Sequence, residues 1–146
     1  MTRTLFISLF ITIIFSSAFS QKTDEKDVPA GIVATFIARF PDIQNRQWEK
    51  LPEFFCASFE QDGMPAKSYF KDNIWIRTEW DIPVKYVPDT INQYLKKNYP
   101  KFKTYRLMLQ NSSNDPCYFV FIQKKNEKQM LQFSTLGEFK SVTDKF

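Results

Sequence analysis

Two proline-bracketed segments, set 59 residues apart, constrain this chain more than any other feature. Val28-Pro29 opens the first and Phe40-Pro41 closes it. Val87-Pro88 opens the second and Tyr99-Pro100 closes it. Proline suits the first turn of a helix, where its missing N–H would have no partner anyway. It also disfavours helical geometry in the residue before it, so the second proline of each pair ends the helix. Between the prolines, Ile32, Val33, Phe36, Ile37 and Phe40 fall on one apolar stripe, and Ile91, Leu95 and Tyr99 do the same in the second segment. The second helix is the more polar, with Asn92 in place of Val33 and Lys96 in place of Ile37. That predicts shallower packing.

Each helix is followed by strand-like runs. After the first come 43–49, 54–60, 66–70 and 74–80, with turn signals at Asp62-Gly63 and Asp72-Asn73. After the second come 102–109, 117–123, 130–133 and 138–142, with a loop at 111–116 and a turn at Gly137. The sequence therefore reads as one α-β-β-β-β unit repeated, at 28–86 and 87–146. One helix on four short strands makes a small core. Two units side by side predict a single α+β domain over 28–146. It would hold one antiparallel sheet of about eight strands with both helices packed on one face. The polar stretch Gln21–Asp27 reads as a flexible lead.

Residues 1–20 read as a secretory signal peptide. Arg3 precedes an apolar run from Leu5 to Phe15, and Ala18 and Ser20 are small residues ahead of a cleavage point at Gln21. The run falls short of the ~20 residues that a spanning helix needs, so no membrane span is expected after cleavage and the product is placed in the periplasm or outside the cell. Without Arg3, 19 Lys and Arg stand against 16 Asp and Glu, scattered along the chain. This mild excess does not point to nucleic acid.

Composition excludes much chemistry. Histidine is absent, so no Ser-His-Asp, Cys-His or His-ligated metal site can be built. Three glycines form no phosphate-cradling loop. No metal site and no cofactor are expected. Glu79 and Asp81 share one face of a predicted strand, and Glu60 and Asp62 flank a turn. A two-carboxylate hydrolase needs one acid held neutral beside one ionised, and nothing local singles one out. No catalytic residue is assigned.

Motifs in this order resemble the PepSY-like secreted domain family, whose fold is similar to the beta-lactamase inhibitor protein. The features are V-P-x(6)-F-x(3)-F-P at 28–41, W-E at 48–49, F-x-A-x-F at 55–59 and A-x-x-Y-F at 66–70. They continue as I-W-I-R-T-E at 74–79, V-P-x(10)-Y-P at 87–100, Y-x-V-x-I at 118–122 and L-x-F-x-x-x-G at 131–137. One departure is visible: the hairpin glycine of the pattern before Trp75 is replaced by Asp72-Asn73. The resemblance implies an exported domain without catalytic apparatus. It transfers no activity and no contact residues.

Export permits a disulfide. Cys56 and Cys117 allow one intramolecular bridge; two separate buried thiols or one reactive thiol are the alternatives. Aromatic placement bears on function. If Phe55, Ala57 and Phe59, with Tyr118, Val120 and Ile122, face the helices, then Phe54, Phe119 and Phe121 face away, and Trp75 or Trp80 adds to one side. A sheet covered on one face is ordinarily polar on the other. Phe54, Phe119, Phe121 and Trp75 are thus the candidate binding face. The expected function is an exported, non-catalytic binding module, an inhibitor or regulator of an envelope or secreted protein. The alternative is a carrier of a lipid or peptide in a cavity between helices and sheet.

Overall fold

The structure, a computed structural model, describes residues 21–114 and 116–143. The signal-peptide segment lies outside the described residues. The chain forms β1 (Gln21–Thr23), α1 (Ala30–Arg39), β2 (Arg46–Lys50), β3 (Phe55–Gln61), β4 (Met64–Lys71) and β5 (Ile74–Ile82). It continues with α2 (Asp89–Asn98), β6 (Lys103–Ser112), β7 (Cys117–Lys124), β8 (Glu127–Ser134) and β9 (Phe139–Thr143). Short 3-10 turns occupy Glu25–Asp27 and Val84–Tyr86. The strands make one antiparallel sheet in chain order from β1 to β9. The fold is α+β, and each helix is followed by four strands. Among the described residues no helix is long and apolar enough to cross a membrane.

The ninth strand comes from the stretch expected as a flexible lead. Lys22 pairs with Glu49 and Thr23 with Trp48. Just beyond, the Glu25 carboxylate accepts hydrogen bonds from Arg46 Nε at 2.6 Å, Arg46 Nη2 at 2.7 Å and Trp48 Nε1 at 2.8 Å. Those bonds, Arg46 first and Trp48 second, hold Glu25 below the usual carboxylate range. Three polar residues carry no readable period; a side-chain tie to residues more than twenty positions away orders them.

Both helices lie on one face. Under α1, the fully buried Phe36 ring meets Phe40, Trp48, Phe59 and Phe70 at centroid distances of 5.1 to 6.1 Å. Each such ring contributes about 1.5–3 kcal/mol by leaving water. Under α2, Ile91 packs with Leu107, Val120, Leu131 and Phe133, all fully buried. Beside the α1 cluster lies a buried hydroxyl pair, Ser68 and Thr78, 2.9 Å apart, and Thr78 Oγ1 also accepts from Trp75 Nε1. The expectation of shallower packing for α2 holds along the later part of its stripe: Leu95 is 9% exposed where Phe36 is fully buried, and Tyr99 is half-buried where Phe40 is buried. Ile37 is 47% exposed, so Lys96 at the matching position costs no burial, and Ile91 sits as deep as Ile32.

The start of each helix touches the hairpin joining the third and fourth strands of its unit, and one side of each contact lacks a Cβ. At α1, a Cβ on Gly31 would stand 2.6 Å from Asn73 Cγ, and Thr35 Oγ1 donates to the Asn73 carbonyl at 2.9 Å. At α2 the order is reversed: a Cβ on Gly137 would stand 2.0 Å from Thr90 Oγ1 and 2.8 Å from its Cβ. Gly31 and Thr90 match at the 59-residue offset. The hairpin glycine missing before Trp75 has its counterpart on the helix, and Asn73 takes the positive φ of 63°.

Gly63 and Gly137 both have positive φ, but a Cβ on Gly63 would meet nothing within 4 Å. Gly63→Ala should cost about 1 kcal/mol from backbone strain, and Gly137→Ala at least about 1 kcal/mol more from the clash with Thr90. Urea unfolding of the two variants checks this; equal losses would show that the helix–hairpin approach is not tight.

Candidate functional site: the uncovered sheet face

Strand alternation and register define the second face. Across its centre, Ser58 of β3 pairs with Lys67 of β4 and Lys67 with Glu79 of β5. One row over, Cys56 pairs with Tyr69 and Tyr69 with Arg77. On the other side, Asp81 pairs with Met108 of β6, and Met108 with Phe119 of β7. Next to it, Arg106 pairs with Phe121, and Phe121 with Met130 of β8.

Arginines reconcile these aromatics with a face that no helix covers. The Arg77 guanidinium lies 3.9 Å over the Tyr69 ring while its Nε donates to Glu79 Oε1 at 2.7 Å. Tyr69 OH donates to the other oxygen of Glu79 at 3.3 Å. Burial first, and the Glu79 charge second, push the Tyr69 phenol far up. Arg106 repeats the arrangement. It lies 4.9 Å over the Phe121 ring and donates to both Asp81 oxygens, at 2.6 and 3.2 Å. A guanidinium can stack on an apolar ring and bind a carboxylate through its edge at once, which an ammonium cannot. Glu79 and Asp81 share a face as the sequence indicates, but each is committed to an arginine.

Between these two arginine clusters lies a concavity of about 350 Å³ lined by Ser58, Lys67, Tyr69, Glu79, Arg106 and Met108. Aromatic and aliphatic clusters pack between helices and sheet, and an open groove of about 590 Å³ lies at the start of α1, lined by Pro29, Ile32, Phe54, Phe55 and Phe70.

The four aromatics of the candidate face separate. Phe119 is half-buried on the uncovered face. Phe121 is on that face but only 6% exposed, beneath Arg106 and beside the Tyr105 ring at 6.2 Å. Phe54 precedes β3 and meets Tyr69 edge-on at 6.5 Å, at the margin of the face. Trp75 is a correction. It packs on the α1 cluster, with the Arg39 guanidinium 3.3 Å over its ring. A register shift between Tyr69 and Phe70, opposite β5, sets Trp75 against the core residue Phe70.

The bridge between Cys56 and Cys117 is also corrected. Both are free and buried. They sit on β3 and β7 with three strands between, about 19 Å at ~4.8 Å per strand. A disulfide needs Cα atoms within about 7 Å. Burial pushes the Cys56 thiol up to about 11. Sequence reasoning missed Tyr69, Arg77, Arg106 and Met108; the available signal was the alternation of Arg77, Glu79 and Asp81 along β5. Among the described residues no three His, Cys, Asp or Glu side chains cluster as a metal site would require.

No family model matches the sequence, and no curated protein matches it. Solved structures do. A DUF2874 family protein from Bacteroides uniformis superposes with a TM-score of 0.73 at 17% identity, covering 80% of this chain and 89% of that one. A BLIP-like protein from Bacteroides fragilis gives 0.73 at 17% identity, covering 80% and 85%. A protein from Bacteroides eggerthii described as periplasmic gives 0.71 at 15% identity, covering 80% and 88%. At such identities the likeness establishes the fold, that of a BLIP-like sheet with two helices on one face.

Denatured, unreduced protein should titrate two thiols per chain, and native Cys56 should react far more slowly at pH 8 than in denaturant; a titre of zero would contradict the strand placement. Phe121→Ser should cost about 3 kcal/mol and Phe119→Ser about 1 kcal/mol in thermal or urea unfolding. The reverse order would mean that the arginine does not bury Phe121.

Proposed function

We propose that the chain is an exported, non-catalytic binding module of the periplasm or exterior that docks another envelope or secreted protein on its uncovered sheet face, as an inhibitor or regulator. The observation that carries this reading is the concavity at the centre of that face, with Tyr69, Arg106 and Met108 on its lining. Tyrosine, arginine and methionine are the residue types enriched at protein interfaces. Their polar groups are already oriented by Glu79 and Asp81, which reduces the ordering cost of docking. The BLIP-like fold, the periplasmic description of one structural neighbour and the sequence resemblance to PepSY-like secreted domains support the same reading. Both strand carboxylates are bound to arginines, which favours recognition over acid–base chemistry.

The test is capture from an envelope extract of the producing cells. Wild type should retain a discrete protein that an Arg106→Ala, Phe119→Ser double variant with an intact folded baseline does not. Equal recovery by both, or none above background, would contradict the proposal.

A further inference from the structure

The lysines of the second unit are spread along its sequence, and the fold gathers them at one end. Lys96 and Lys97 lie in the last turn of α2. Lys101 follows in the connection, and Lys103 opens β6. Lys103 pairs with Gln123 near the end of β7, and Gln123 with Lys128 near the start of β8. Lys124 ends β7, and Lys125 takes a positive φ of 53° in the turn that follows. All of these lysines but the half-buried Lys124 are exposed, and none forms an ion pair among the described residues. Among the described acids of the unit only Glu127 lies at this end. Asp89 and Glu138 sit at the far end, beside the contact between Thr90 and Gly137. Apart from these seven lysines and Glu127, the chain from Gln21 onward holds 12 Lys and Arg against 15 Asp and Glu. The mild net charge therefore conceals a strongly basic end on an otherwise acidic chain. Like charges gathered without partners repel one another, and an anionic surface relieves that cost.

The residue types indicate which anionic surface fits. All seven are lysines, whereas the uncovered face uses arginines locked to carboxylates. An ammonium is a compact, hydrated point charge on a flexible stem and imposes little geometry. The group spans a helix end, a connection and a hairpin tip, and none of its members lines the central concavity. A protein partner would have to present fixed acids over the same breadth, while a bilayer supplies mobile headgroups that rearrange beneath it. Aromatic rings stand among the ammonium groups: Lys128 Nζ lies 5.7 Å over Tyr105, and Lys124 Nζ lies 5.8 Å over Phe102. We propose that this end rests on an anionic phospholipid surface, with Tyr105, 38% exposed, at the level of the headgroups. Contact of this kind is peripheral and needs no spanning helix. It does not require the uncovered face to be the docking face.

The chain from Gln21 onward, the expected product of export, is sedimented with vesicles of phosphatidylcholine, alone or with about 30% phosphatidylglycerol. It should bind the mixed vesicles and not the neutral ones, and raising NaCl from about 0.05 M to about 0.5 M should release it. A triple variant, Lys97→Gln, Lys125→Gln and Lys128→Gln, should bind about one hundredfold more weakly, at about fivefold per lysine near a charged surface. A control variant, Lys22→Gln, Lys26→Gln and Lys67→Gln, loses the same net charge from exposed positions away from that end. It should bind within about threefold of wild type. Both variants should keep the wild-type melting curve. Absence of binding to the mixed vesicles would overturn the lipid contact. So would equal binding to both kinds of vesicle, or an equal effect of the two variants. Retention of poly-glutamate or DNA without retention of lipid would overturn it too, and would assign the end to an acidic polymer.

Discussion

Two helices of ten residues cannot cover both sides of a nine-stranded sheet. Each helix is about 15 Å long, and eight strand spacings of about 4.8 Å span close to 38 Å. Both helices lie on one side, and the rings of Phe36, Phe40, Trp48, Phe59 and Phe70 and the aliphatic cluster around Ile91 fill the space beneath them. The opposite side must then be stable in water without a second layer. It achieves this with guanidinium groups. Arg77 over Tyr69 and Arg106 over Phe121 shield ring surface while remaining hydrated at their edges, and Glu79 and Asp81 fix them in place. Tyr69, Glu79, Asp81 and Arg106 also line the concavity, so the means of stabilising the bare face also orders the side chains around it.

Much of this was legible in the sequence where the signal is local. The prolines at 29, 41, 88 and 100 bracket α1 and α2, and the alternation of Phe55, Ala57 and Phe59 places the core side of β3 correctly. What was not legible depends on contacts between distant residues. β1 exists because Glu25 binds Arg46 and Trp48. Trp75 lies on the helix side because a register shift in the neighbouring pairing breaks simple alternation. The burial of Phe121 requires knowing that Arg106 stands across from it, which spacing along the chain does not reveal. The cysteines occupy related places in their units, and for that reason they are four strands apart and unbridged.

The two units solve one packing problem with opposite residues. Each needs the first helical turn to approach a tight hairpin. The first unit places the small residue on the helix, Gly31 against Asn73, and the second places it on the hairpin, Gly137 against Thr90. The units differ more on the uncovered face. The first contributes Ser58, Lys67, Tyr69, Arg77, Glu79 and Asp81, and the second contributes Arg106, Met108, Phe119, Phe121 and Met130. The concavity draws Lys67, Tyr69, Glu79 and Asp81 from the first unit and Arg106 and Met108 from the second, so a single unit would supply only part of it.

The central claim is that the uncovered face is the working face, and methionine methyl groups report on it directly. Met108 and Met130 lie on that face, while Ile37 points outward from α1 on the other side of the molecule. In protein carrying labelled methionine and isoleucine methyls, adding the captured envelope protein should shift or broaden Met108 and Met130 and leave Ile37 unchanged. A response at Ile37 with Met108 and Met130 unaffected would contradict the account.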